Sequence, residues 1–96
     1  MAMFNPPHPG LAIKSELAEL SASVTDAALA LGVTRQQLYR VIRGDCAITA
    51  DMALRLEKAI GGDAGLWVRM QANYDLAQAR RRKLSPAARK LKAKVA

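Results

Sequence analysis

At 96 residues, 51% apolar and with a mean hydropathy of −0.02, the chain has material for one core and so for a single domain. One Cys and one His exclude a disulfide framework and a four-ligand zinc site within one chain, and no cofactor is read from the sequence. The net charge of +7 sits at the carboxyl end: residues 80–96 hold eight Lys and Arg and no acid, against seven basic and eight acidic residues before them. Such a tail attracts any polyanion without choosing among them.

Residues 1–10 carry three prolines and a glycine, which predicts a stiff, extended amino-terminal arm with Phe4 available to pin it on the core. The segment lacks the basic start and apolar stretch of a signal peptide. No later run approaches the roughly 20 apolar residues that cross a bilayer, so no membrane is expected. A helix from Leu11 to about Leu20 comes next, with Leu11, Ile13, Leu17 and Leu20 at near-helical spacing. Ser23 or Thr25 caps a short second helix through Leu31, closed by Gly32. Thr34 caps a third, Arg35–Arg43, whose Leu38, Val41 and Ile42 form a buried stripe, and Gly44 ends it.

Thr49 caps a fourth helix, Ala50 to about Ile60, with Met52, Ala53, Leu56 and Ile60 facing inward. Gly61 and Gly62 break it. Asp63 caps a longer fifth helix, from about Ala64 as far as Arg82, with Leu66, Trp67, Met70, Tyr74 and Leu76 or Ala77 on its apolar side. Ser85-Pro86 can restart a helix, but AARKLKAKVA has little to pack, so residues 84–96 are expected to form a basic, frayed tail. With only four aromatic residues and an apolar set dominated by Ala and Leu, the domain over residues 11–83 is predicted to be all-α.

Short helix, glycine turn, short helix over residues 24–44 is the pattern of a helix-turn-helix, whose second helix lies in the major groove. Ala28 sits where the two helices cross, Gly32 makes the turn and Val33 plugs the angle between them. Arg35, Gln36, Gln37, Tyr39, Arg40 and Arg43 point away from the Leu38/Val41/Ile42 stripe, with no acid among them. Arg pairs in a bidentate way with guanine, and Gln with adenine. The helix start also favours a phosphate through free N–H groups and the dipole, with Thr34 adding a hydroxyl. The bland alternative is an ordinary solvated face between two structural helices.

The chain resembles the HigA (VapI-like) antitoxins within the Xre/Cro/phage-repressor helix-turn-helix family. The resemblance rests on His8-Pro9-Gly10, Val24-Thr25, the run Ala30 to Leu38, Gly44, the run Ile48 to Leu56, Trp67 and Met70-Gln-Ala-Asn-Tyr-Asp-Leu76, most of residues 8–79. It implies a five-helix, lambda-repressor-like domain, dimeric, binding an inverted repeat of double-stranded operator DNA at its own promoter. It further implies a RelE/HigB-like toxin that cleaves mRNA and is held inactive in a complex, and a bacterial, cytoplasmic protein that joins the nucleoid when bound. By position, Thr34, Arg35, Gln36 and Arg40 match the family's groove-contacting residues, and Arg43 lies at a backbone contact.

Two departures stand out. Ala27 replaces a usual large apolar residue, which predicts a looser core there. Glu19-Leu-Ser-Ala-Ser23 departs from the family's Pro-Leu-Gly-Leu-Ser type of turn, and the lost glycine leaves the geometry of that helix end open.

Other residues have plainer readings. Trp67 and Tyr74, seven apart, share one face for core or dimer packing. Gln71, Asn73 and Asp75 are open to capping, interhelical bonds or a partner contact. Cys46 reads as a passive small residue ahead of a redox switch, and His8 as non-catalytic. The cluster Arg80–Lys83 and the four later basic residues solubilise, touch flanking phosphates or neutralise a partner. No paired carboxylates, Ser/His/Asp set, phosphate loop or metal spacing points to an enzyme. Two alternatives to the repressor–antitoxin remain at this stage: a protein-binding adaptor with a vestigial motif, and a regulator without a toxin.

Overall fold

The computed structural model describes residues 6–82 and 88–93. In chain order the helices are α1 (Gly10–Glu19), α2 (Val24–Leu31), α3 (Arg35–Ile42), α4 (Ala50–Ala59) and α5 (Ala64–Arg81). All regular structure among the described residues is helical. The starts follow local chemistry: Ser23, Thr34, Thr49 and Asp63 each accept a backbone N–H of the first turn in the helix they precede. Of the two candidates for α2, Ser23 is the cap and Thr25 lies inside the helix.

The core takes one or more side chains from every helix: Ile13 and Leu17, Ala27, Ala28 and Leu31, Leu38 and Val41, Ala53 and Leu56, and Trp67. Ile48, in the segment between α3 and α4, completes it. Helix α2 packs on both α3 and α4, α1 on α3, and α4 on α5. Ala27 and Ala28 of α2 are both buried.

Several apolar residues assigned inward face out instead. Leu11, Leu20 and Leu66 are about half exposed, at 54%, 55% and 47%. Of the alternatives Leu76 and Ala77 it is Ala77 that is half-buried, Leu76 being exposed. Leu11 precedes Ile13 by two residues, about 200° round the helix, so the two cannot share a buried face. Leu20 is the C-cap of α1, where the chain already turns away. Ile42, Met52, Ile60, Met70 and Tyr74 are half-buried at the edge of the core.

The largest departure from expectation is at the amino terminus. Residues 8–10 are not part of an extended arm: His8, Pro9 and Gly10 are buried, and Pro9 is among the most deeply enclosed side chains. Pro9 has helical dihedrals and forms the N-cap of α1, so the fold begins three residues ahead of the expected boundary. Phe4 lies outside the described residues, as do Lys83 and Ser85-Pro86. Residues 88–93 are exposed and have no regular structure.

The turn after α1 takes its shape without a glycine. Ser21 adopts a left-handed φ of 54°, its N–H bonds the Ala18 carbonyl at 3.1 Å, and the Ala22 N–H bonds the Leu17 carbonyl at 2.9 Å. That pair of bonds closes a helix through a left-handed residue, a position where an L side chain is strained. Ser21→Gly is therefore expected to stabilise the domain by about 0.5–1 kcal/mol in urea unfolding. A loss of stability would mean the serine hydroxyl contributes more than its strain costs.

Candidate nucleic-acid interface

Helix α3 lies on the outside of the fold, anchored from beneath by the fully buried Leu38 and by Val41. Thr34, Arg35, Gln36, Gln37, Tyr39, Arg40 and Arg43 are all exposed. They divide into two flanks. Arg35, Gln36, Tyr39 and Arg43 line one shallow polar concavity along α3. Gln37 and Arg40 line a second groove, bounded by Cys46, Ala47, Thr49, Asp51 and Met52 from the loop and the start of α4.

Two of the seven already have bonds inside the protein. The Thr34 hydroxyl accepts the Gln37 N–H at 3.0 Å, and the Gln37 side-chain carbonyl accepts the Thr34 N–H at 2.8 Å. This reciprocal capping box fixes the start of α3. The bidentate adenine pairing expected of a glutamine is thus open to Gln36, but closed to Gln37 while the box holds. Gln37 keeps its NH2 group free, and Thr34 keeps its hydroxyl proton for a phosphate oxygen.

At the other end, the Arg43 Nε lies 3.2 Å from the Asp45 carboxylate, with both side chains about 60% exposed. An exposed pair of this kind is weak, and a phosphate can replace the carboxylate. Helix α3 itself carries three exposed polar side chains in its first turn, one basic and none acidic.

A helix-turn-helix family model matches residues 13–67, more than half of the chain. The chain belongs to the helix-turn-helix family. Virulence-associated protein A' of Dichelobacter nodosus is 51% identical over 77 residues, covering 79% of this chain and 67% of that protein. An addiction module antidote protein of a HigA family from Coxiella burnetii superposes with a TM-score of 0.76 at 33% identity, covering 80% of this chain and 85% of that one. The Pseudomonas aeruginosa antitoxin HigA with the higBA promoter gives 0.76 at 35% identity, with the same coverage. The resemblance to HigA antitoxins read from the sequence is upheld, and this is a family of DNA-binding regulators and antitoxins, not of enzymes.

Within this helix-turn-helix domain, further residues position α3 that sequence reasoning did not single out for the task. Arg55 of α4 donates through Nη1 to the Leu31 carbonyl at 2.8 Å and through Nε to Asp51 at 2.8 Å. It thereby satisfies the end of α2 beside the turn and ties that turn to α4. Gln71 of α5 is buried; its carbonyl accepts the Ile48 N–H at 2.8 Å and its NH2 donates to Asp75 at 2.9 Å. A buried N–H left unpaired costs about 1–3 kcal/mol, so Gln71 fastens the segment that follows α3. Gln71 therefore ties α5 to the segment that follows α3, Asp75 holds the Gln71 amide from within α5, and Asn73 is exposed.

His8 makes a third tie. Its Nδ1 accepts the Gly10 N–H at 2.9 Å, and its ring meets Tyr74 edge to face at a centroid distance of 4.8 Å. Burial holds its pKa below the ordinary 6.5, opposed by the charge of Asp75 and a hydrogen bond to the Cys46 backbone. The i,i+4 pairs Asp51/Arg55 and Gln71/Asp75 are visible as spacings in the sequence. Their distant partners leave no local sign.

Proposed function

We propose that this protein is the antitoxin of a type II toxin–antitoxin pair and a repressor of its own promoter, reading operator DNA through α3. The observation that carries the proposal is the outer face of α3, where Arg35, Gln36, Tyr39, Arg40 and Arg43 stand exposed on a helix without an acid. Likeness to an antitoxin solved with its promoter supports it. Two copies place their α3 helices in major grooves about one helical turn, ~34 Å, apart, which requires a two-fold dimer. Arg35, Gln36 and Arg40 read base edges. Thr34, Arg43 and the free NH2 of Gln37 bond the sugar–phosphate backbone, and Tyr39 fills the wall of the groove. The partner held by this antitoxin is a RelE/HigB-like mRNA-cleaving toxin, and the site of action is the bacterial cytoplasm and nucleoid.

The test is fluorescence anisotropy with duplex DNA from just upstream of the protein's own operon, against a scrambled duplex, at two salt concentrations. A preference of at least about a thousandfold for the native duplex is expected. Replacing the basic residues Arg80–Lys83 is expected to weaken both duplexes alike. It is also expected to flatten the salt dependence by about 0.9 in log–log slope for each phosphate that the variant leaves unneutralised. Weak binding to both duplexes that vanishes at the higher salt would defeat the repressor reading. Co-purification with the product of the adjacent reading frame then tests the antitoxin role separately.

A further inference from the structure

His8 stands where three parts of the fold meet at the carboxyl end of α3. From α1 it receives the Gly10 N–H, and from α5 the ring of Tyr74. Its Cγ also lies against Gly44, 3.4 Å from where a Cβ would stand on the residue that closes α3. Gly10 in turn rests on the last carbonyls of α3, those of Val41 and Ile42. One imidazole therefore joins the start of α1, the end of α3 and the middle of α5. Two exposed residues of the DNA-facing set, Arg40 and Arg43, lie within four residues of that joint at Gly44.

We infer that neutral His8 is a positioning residue for α3, and that its protonation loosens the end of that helix and weakens DNA binding. The inference rests on α3 being the helix that contacts DNA. The chemistry is in the direction of one hydrogen bond. Nδ1 accepts the Gly10 N–H only while it carries no hydrogen; a protonated Nδ1 presents a donor to a donor.

The groups around the ring pull both ways. On α5, Asp75 favours the cation, though its carboxylate already accepts from Gln71, and Tyr74 meets the imidazole with its aromatic ring. The Cys46 backbone also favours the cation, and the Arg43–Asp45 pair brackets Gly44 with opposite charges. At its contact with α1 the ring accepts the Gly10 N–H. Burial outweighs these, so the folded protein resists the proton. Opened forms then take up the proton first. The stabilisation is complete above pH 6.5 and is lost as the pH falls below it.

The sign of the effect on DNA makes the test sharp. A basic protein that gains positive charge binds DNA more tightly if nothing else changes. Here the full chain is expected to bind its upstream duplex severalfold more weakly at pH 5.5 than at pH 7.5. In His8→Asn the side-chain oxygen can accept the same N–H and never protonates. That variant is expected to match the wild type within about threefold at pH 7.5 and to lose the acid weakening. Wild-type affinity that holds or rises in acid, or a His8→Asn variant with the wild-type profile, would overturn the inference.

Amide hydrogen exchange of residues 44–48 in the wild-type chain, corrected for intrinsic rates, reads the joint without DNA. Faster opening at pH 5.5 than at pH 7.5 supports it, and equal opening overturns it. Absence of any preference for the native duplex at pH 7.5 is a separate result, and counts against the DNA reading itself.

Discussion

Gly10→Ala is expected to destabilise the domain by about 3 kcal/mol and to lower its melting temperature by roughly 15 °C. Helix propensity alone argues the opposite, since alanine in place of glycine in a helix gains up to about 1 kcal/mol. Packing decides the sign. A Cβ at Gly10 would stand within contact of the Val41 carbonyl oxygen and 2.6 Å from that of Ile42. Both obstacles are backbone, at the end of a helix whose Leu38 and Val41 are buried, so neither can swing aside as a side chain would. The close approach also lets the start of α1 meet the terminal carbonyls of α3, a favourable pairing of helix ends. Urea unfolding of the two proteins measures the difference. A variant as stable as the parent would mean that the end of α3 yields freely, and the role given to Gly10 would fall.

Arg40→Ala is expected to reduce the preference for native over scrambled duplex by a factor of about 10–100. The side chain is exposed on the flank of α3 that faces Thr49 and the start of α4, and the proposed function sets it against a base edge in the major groove. A guanidinium presents a planar fork to guanine; an ammonium does not. Arg40→Lys is therefore expected to keep part of the affinity and little of the discrimination. Equal losses on both duplexes in Arg40→Ala would reassign the residue to a phosphate contact, which positions without specifying. Removing charge at Arg80–Lys83 provides the contrast, because contacts to phosphate are blind to sequence.

Local chemistry was legible without a structure. The caps Thr34, Thr49 and Asp63, the left-handed Gly32 and Gly44, and the Leu38/Val41 stripe each depend on neighbours within about four residues. A linear pattern carries that information whole, and with it the five helices, the helix-turn-helix and the exposed polar face of α3. What lay beyond the pattern was every choice made across the fold. Arg55 bonds a carbonyl 24 residues away and Gln71 an amide 23 away, and no spacing within α4 or α5 names those targets. His8-Pro9-Gly10 read as an arm because prolines discourage a helix locally; burial against α3 and α5 made the segment part of the core. The engagement of Gln37 in its cap was within reach of the sequence, since Thr34 and Gln37 have the spacing of a capping box. Helical periodicity states which residues share a face. Only the packing of one helix on another decides which faces are covered, and so which side chains remain free for a partner.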